Sequence, residues 1–251
     1  MITARVFPAL SVALSLFGSV VGAVDCQNVN FDGHSYTICE ADPAREELRL
    51  FLRDDEGQIL GMFNRVEAAL EQNDETLLFA MNAGMYHPDR QPVGHYLENG
   101  VQQQAVIEGA SPGNFGLLPN GVFCIGSKVA RVYETYRYLT DHPDCLFATQ
   151  SGPMLVIDGA LHARFLIDST SRYIRNGVGT TDSGDRAVFA ISNERVTFHE
   201  FGRLFRDGLK LPQALYFDGK VSRIYAPTLQ RNDPGLPLGP IVGIVAPRQA
   251  E

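Results

Sequence analysis

Apolar and polar positions alternate in short runs along most of the chain. Leu48, Leu50 and Leu52 alternate with Arg49 and Arg53, a period of two that predicts a half-buried strand ending by Gly57. Asn64 with Glu67 three residues on has the form of a capping box, opening a short helix through Val66, Ala69 and Leu70. The apolar run Leu77 to Met81 then stops abruptly at Asn82, Ala83, Gly84, Met85 and Tyr86. Further on, turn dipeptides join apolar runs into three predicted hairpins: Asn99-Gly100 between GHYLE and VQQQAV, Gly126-Ser127 between GVFCI and KVARVY, and Asp158-Gly159 between PMLVI and ALHAR. Thr197 to Glu200 reads as a second capping box ahead of a helical stripe at Phe201, Leu204, Phe205 and Leu209, and ALYFDG returns to a strand.

Many strands joined by hairpins, with two or three helices, predict an α+β class: a largely antiparallel or mixed sheet with a few flanking helices. Neither an internal repeat nor a long Ser, Gly or Pro-rich linker divides the chain, so residues 24–251 read as one domain. Residues 112–116 and 232–240 read as irregular loops.

The first 23 residues, MITARVFPALSVALSLFGSVVGA, change the picture. They carry one early cation, Arg5, an apolar stretch short for a membrane span, and Val21 and Ala23 at the small-residue positions of a cleavage site. They predict a signal peptide over 1–23 and an exported chain, periplasmic or secreted, with no stable membrane insertion after cleavage. Asp25 ahead of Cys26 speaks against a lipid-anchored cysteine, which ordinarily follows a small residue. In an oxidising compartment the four cysteines, Cys26, Cys39, Cys124 and Cys145, predict disulfides in one of three connectivities. Closeness in sequence, on segments that read as neighbouring strands, favours Cys26 with Cys39 and Cys124 with Cys145.

Composition excludes other classes. With 45% hydrophobic and 20% charged residues among 251, the chain has apolar material for a full core and is not a disordered one. A formal charge of −8 argues against a nucleic-acid partner, so an anionic ligand has to be held by a few placed cations or amides. The histidines, His34, His87, His95, His142, His162 and His199, are scattered, and neither CxxC nor HxxxH spacing occurs; no metal site or cofactor is expected.

Four segments share one design, an apolar strand running into small and polar residues: 79–86, 148–156, 171–182 and 214–222. In the last, Asp218 follows Leu215, Tyr216 and Phe217, which places a carboxylate at the mouth of a buried strand, where burial is costly unless the group is paired or functional. The plainer alternative is an Asp-Gly turn. Arg172 and Arg175, three apart, suit bidentate binding of phosphate or carboxylate; the alternative is a pair of surface arginines balancing an acidic chain. Ser151-Gly152-Pro153 can turn its amides to an anion or simply separate two hairpins, and no GxSxG frames Ser151 as a nucleophile.

NAGMY, PNGVF, SGPMLVIDG, RNGVG and LYFDG with Ser222 after it, in this order and spacing, resemble the phosphodiester glycosidase family over roughly Leu48 to Ala226, and most closely its short exported bacterial members. The resemblance implies hydrolysis of a sugar-1-phosphodiester, N-acetylglucosamine-1-phosphodiester-like, at the bond between sugar C1 and oxygen. Asn82, Gly84 and Tyr86, with Met85 between them, match the family's first active-site loop, and Ser151 with Gly152 its second. Arg175 stands at the arginine of a Pro-Arg-Thr-like segment, with Asn176 in place of the usual Thr. Asp218, Gly219 and Ser222 stand within the family's Asp-Gly-Gly-Gly-Ser-Ser, with Lys220 and Val221 replacing its second and third glycines.

Most glycosidases use two carboxylates because an alkoxide leaving group needs a proton as the bond breaks. A phosphodiester leaves as a stable anion, so one acid plus cationic and amide stabilisation suffices. On this reading Asp218 is base or nucleophile, Arg175 neutralises the departing phosphate, and Asn82 orients the sugar. Tyr86 gives the sugar ring a face, Arg172 adds a guanidinium, and the Ser151 and Gly152 amides complete the anion pocket; Asp182 is a second acid in reserve. The expected partner is a sugar-phosphate or glycan substrate. The competing function is a non-catalytic envelope module that binds a cell-wall glycan or sugar phosphate in the same pocket; the intact set of Asp218, Arg175 and Asn82 favours catalysis. A disulfide-stabilised structural protein without a small-molecule site is the third reading.

Overall fold

The computed structural model describes residues 24–111, 113–219 and 221–248. The signal peptide expected over 1–23 and the Lys220 substitution lie outside the described residues.

The chain begins with the hairpin β1 (Asp25–Phe31) and β2 (His34–Ala41), then β3 (Glu47–Phe51), helix α1 (Phe63–Glu71) and β4 (Glu75–Asn82). Next come β5 (Tyr96–Glu98), β6 (Val101–Gln104), β7 (Gly121–Ile125), β8 (Ala130–Glu134), helix α2 (Thr135–Asp141) and β9 (Phe147–Ser151). β10 (Met154–Ile157), β11 (Ala160–Leu161), β12 (Asn176–Thr180), β13 (Ala187–Ser192), helix α3 (Phe198–Arg203) and β14 (Gln213–Tyr216) follow. The chain closes with β15 (Ile224–Ala226), β16 (Arg231–Asn232) and β17 (Ile241–Pro247).

These strands form three sheets, ordered β1-β2-β13-β12-β14-β10-β11, β16-β15-β4-β17-β3 and β6-β5-β9-β7-β8, and every strand pair among the described residues is antiparallel. The α+β expectation holds, with the sheet material divided in three. All three predicted hairpins form, as β5-β6, β7-β8 and β10-β11. The alternation at Leu48 and Leu50 places both leucines in the core from β3, with Leu52 just beyond it.

One phenylalanine from each sheet meets at the centre. Phe79 of β4 packs on Phe189 of β13 at 5.0 Å between ring centroids, and Phe123 of β7 meets Phe189 edge-on at 5.7 Å. All three are fully buried, so the cluster fastens three sheets at one point, each ring burying on the order of 200 Å2. α3 covers the outer face of the seven-stranded sheet through Phe201, and the π-helical turn Leu204–Gly208 extends that cover with Leu204 and Phe205. α1 covers the second sheet through Phe63, Val66 and Leu70.

Both predicted disulfides are present. Cys26 and Cys39 face each other in the β1-β2 register with Cα atoms 4.1 Å apart, and Cys124 of β7 joins Cys145 ahead of β9 at 5.5 Å. The two capping boxes fared differently. The Thr197 hydroxyl accepts from the Glu200 amide at 3.1 Å while Glu200 accepts from the Thr197 amide at 2.8 Å. At α1 the N-cap is Met62, with no side-chain cap, and Asn64 lies inside the helix on its exposed face. The Asn64 box is therefore corrected: Glu67 instead accepts a hydrogen bond from the Tyr225 hydroxyl on β15, so burial of the apolar face sets the start of α1.

Thr197→Ala is expected to lower the free energy of urea unfolding by about 1 kcal/mol, and Asn64→Ala to change it by less than about 0.5 kcal/mol. Equal losses in the two variants would contradict the capping assignment.

Candidate active site

The four segments singled out in the sequence converge at one place. β4 ends at Asn82, β9 at Ser151 and β14 at Tyr216, while β12 begins at Asn176. Gly177 pairs with Tyr216 in the seven-stranded sheet, so the start of β12 and the end of β14 share an edge. The short link Gly152-Pro153 carries the chain from Ser151 into β10, and the Pro153 carbonyl accepts from the Tyr216 amide at 3.1 Å.

Asn82 and Asn176 tie these ends together, and both are fully buried. Asn82 Nδ2 donates to the Asp218 carbonyl at 2.9 Å and to Asn176 Oδ1 at 3.3 Å, while Asn176 Nδ2 donates to the Asn82 carbonyl at 2.9 Å. Asn82 Oδ1 accepts from the Arg223 amide at 2.9 Å, and the Ser222 hydroxyl is 3.2 Å from Asn176 Oδ1 and 3.1 Å from the Ile174 carbonyl. Both Asn82 amide hydrogens and its oxygen are thus engaged by protein groups. The expectation that Asn82 orients a sugar is corrected: it positions the backbone that carries Asp218. Asn176 occupies the Thr position of the resembled motif because it completes this exchange.

Arg175 lies just before Asn176 and is 1% exposed. Nε donates to the Val196 carbonyl at 2.9 Å and Nη2 to the Ser171 carbonyl at 3.0 Å, while Nη1 makes no hydrogen bond among the described residues. The guanidinium carbon sits 3.6 Å from the Phe198 ring centroid, with Tyr216 and Tyr173 at 5.5 and 5.6 Å. No carboxylate forms an ion pair with it among the described residues. Burial pushes its pKa below the ordinary arginine value, opposed by the Tyr216 phenol, yet a guanidinium keeps its charge across the working range.

Asp218 is half-buried, its amide 3.4 Å from the Ala83 carbonyl. Its carboxylate lies in the field of two phenols. Burial first, and Asp218 with it, push Tyr86 and Tyr216 up to about 12. Gly219 lies in a turn but has no positive φ, so it is not the left-handed glycine of a two-residue hairpin turn. Ser151 is fully buried and its hydroxyl lacks a hydrogen bond among the described residues. Side chains two apart in a strand share a face, so Ser151 lies on the face of β9 whose Thr149 hydroxyl fills the space beside Gly84. Gly84 is accordingly closed off by Thr149 and Gln150: its missing Cβ serves strand packing. Met85 packs beside the α3 core cluster, and Tyr86 lies against Gly239 with the Arg90 guanidinium 5.4 Å from its ring centre. A Cβ on Gly152 would come within 2.8 Å of Asn120 Cβ, so this glycine too answers to packing.

Two expected site residues fall elsewhere. Arg172 is exposed and forms a two-pronged pair with Glu200 at 2.6 and 2.9 Å; it belongs to the α3 cap and forms no fork with Arg175. Asp182 lies beyond the other end of β12, roughly 20 Å along the strand from Asn176, and is exposed. Sequence reading missed Arg223. It is 4% exposed and clamped through Nε to the Asp233 carbonyl and Nη1 to the Leu236 carbonyl, both at 2.9 Å. An arginine directly after the Asp-Gly segment, at the start of a buried strand, was the available signal. A groove of about 1050 Å3 opens away from this cluster, between β3, α1 and the β5-β6 hairpin.

The sequence profile of the phosphodiester glycosidases matches residues 75–241, a span that holds all four converging strand ends. The chain belongs to the phosphodiester glycosidase family. The Escherichia coli protein YigE, uncharacterized, is 32% identical over 223 residues, covering 88% of this chain and 84% of its own. The fold is similar to the catalytic domain of zebrafish N-acetylglucosamine-1-phosphodiester alpha-N-acetylglucosaminidase, there auto-inhibited by its pro-peptide: TM-score 0.60 at 13% identity, over 90% of this chain and 85% of that one. A hypothetical protein from Synechocystis gives a TM-score of 0.58 at 11% identity over 88% of this chain and 61% of its own. A Burkholderia pseudomallei protein described as exported gives 0.51 at 10%, over 84% and 74%. At these identities the structures establish the family fold, and the site argument rests on this chain's own geometry.

Asn82→Ala in this phosphodiester glycosidase leaves the Arg223 amide and the Asp218 and Asn176 groups short of partners, so it is expected to cost about 1–3 kcal/mol in denaturant unfolding. Arg172→Ala, which removes an exposed pair, is expected to cost less than about 1 kcal/mol.

Proposed function

We propose that the protein is an exported hydrolase that cleaves the bond between C1 and oxygen in a sugar-1-phosphodiester of the cell envelope, N-acetylglucosamine-1-phosphodiester-like. One observation carries the reading. Among the described residues Arg175 is a buried guanidinium with no carboxylate ion pair, its Nη1 makes no close hydrogen bond, and the Tyr216 phenol is the polar group that acts on it most strongly, in the same cluster as Asp218. A buried cation is costly unless something pairs with it, and a phosphate oxygen is suited to the open fork.

Asp218 takes the proton of the attacking water, or itself forms a bond to C1 that water then hydrolyses. Either way the C1–O bond breaks with its electron pair leaving on the phosphate oxygen. Arg175 stabilises that anion as it departs, so no second acid has to protonate the leaving group. Asn82 and Asn176 fix the Asp218 backbone, and the buried Ser151 hydroxyl offers a further donor on the Gly84 side. Two disulfides support export, because such bonds persist in oxidising compartments.

The test is release of free sugar from a panel of α-sugar-1-phosphodiesters by the oxidised mature chain. Asp218→Asn is expected to lower kcat/KM on the order of 10²–10⁴-fold, and Arg175→Met on the order of 10²–10³-fold with loss of inorganic phosphate inhibition. Full activity in folded Asp218→Asn would remove Asp218 from the chemistry. Phosphate binding without sugar release across the panel would make the protein a binding module.

A further inference from the structure

Tyr216 closes β14 two positions before Asp218 and is 1% exposed. Phe198 meets its ring edge-on at 4.8 Å between centroids, and the Arg175 guanidinium lies 5.5 Å from its centre. Its hydroxyl end runs under the next turn of chain. A Cβ placed on Gly219 would overlap the Tyr216 hydroxyl and come within 2.7 Å of Cζ. The absence of a positive φ at Gly219 means that this glycine answers to the space the phenol fills.

We infer that Tyr216 is a positioning residue: a rigid wedge seated between the Arg175 guanidinium and the Gly219 backbone that sets how far the Asp218 carboxylate stands from the phosphate-binding cation. An aromatic ring loses only two side-chain torsions on burial, which makes it a stiff spacer. Among the described residues Arg175, Asp218 and Tyr173 act on its phenol, Arg175 also as a hydrogen-bond partner; burial dominates among these influences and holds the phenol protonated, up to about 12. The wedge is therefore neutral at working pH and separates the acid from the cation without competing for the substrate's charge. The purpose assigned to it rests on the proposed hydrolysis, whereas the contact with Gly219 does not.

A coupling cycle tests the contact. Gly219→Ala alone is expected to lower the melting temperature by roughly 5 °C, by forcing a methyl group into the phenol. In a Tyr216→Leu background, which lacks both the hydroxyl and the Cζ that the methyl group would meet, the same substitution is expected to cost no more than about half of that. Equal losses in both backgrounds would overturn the contact, whether or not the chain turns over any substrate. Turnover tests the positioning. Tyr216→Phe is expected to lower kcat on the order of 10–100-fold with KM held within about threefold, the pattern of displaced geometry at a site that still binds. An unchanged kcat, or a rise in KM that accounts for the whole loss, would overturn the positioning role. The proposed reaction fails separately, by absence of sugar release from wild type.

Discussion

The reciprocal amide exchange between Asn82 and Asn176 is the contact on which the site depends. The two residues sit on different sheets, and their strand ends are brought into register by side chains where no backbone ladder runs between the sheets. Asn82 also holds the Asp218 carbonyl and the Arg223 amide, so one buried side chain fixes the acid's backbone and the segment that follows it. Low local polarity makes each of these bonds count for more, and makes an unmade one expensive. The Phe79–Phe189–Phe123 cluster brings the sheets together by apolar packing, and the asparagine pair adds directional hydrogen bonds at the strand ends.

An acidic protein that handles an anion has to place its cations individually. About half of the arginines among the described residues are spent on neighbouring carboxylates, including Arg172 on Glu200, Arg49 on Glu75, Arg186 on Glu40 and Arg231 on Asp233. Arg175 and Arg223 differ, being buried and clamped through backbone carbonyls. A carbonyl clamp fixes a guanidinium while leaving its charge uncompensated, and this separates a cation available to a ligand from one that serves the fold.

The fold was legible where the signal was local. Alternation gave β3, turn dipeptides gave three hairpins, and sequence proximity gave both disulfides. The capping box at Thr197 and the false one at Asn64 look alike in sequence. Only Thr197 precedes its helix, and burial of Phe63, Val66 and Leu70 starts α1 one residue before Asn64. Within the site, the four segments were recognisable by their small and polar strand ends, but which residue faces outward was not. Arg172 and Arg175 both lie just ahead of β12, and three positions separate a surface pair from a buried cation. Asp182 shares Asp218's chemistry yet sits past the end of β12 that points away from the site, whereas Asp218 follows β14 at the end paired with the start of β12, a distinction that strand direction makes and composition cannot.

Arg223 and Asn82 show the deeper reason for the gap. Sequence reading looks for groups that could meet a ligand, while most polar groups at this site meet each other. Asn82, Asn176 and Ser222 are occupied by protein partners, and Gly84, Gly152 and Gly219 are small because a side chain or strand presses against them. Among the described residues only three buried side-chain atoms go without a hydrogen bond: Ser151 Oγ, Arg175 Nη1, and the Tyr36 hydroxyl two strands along from Arg175 in the same sheet. Since buried polar atoms are nearly always satisfied, what such a site can do is written in the few that are not, and one of them, Arg175 Nη1, belongs to a guanidinium that shares the Tyr216 phenol with the acid the strand ends converge to hold.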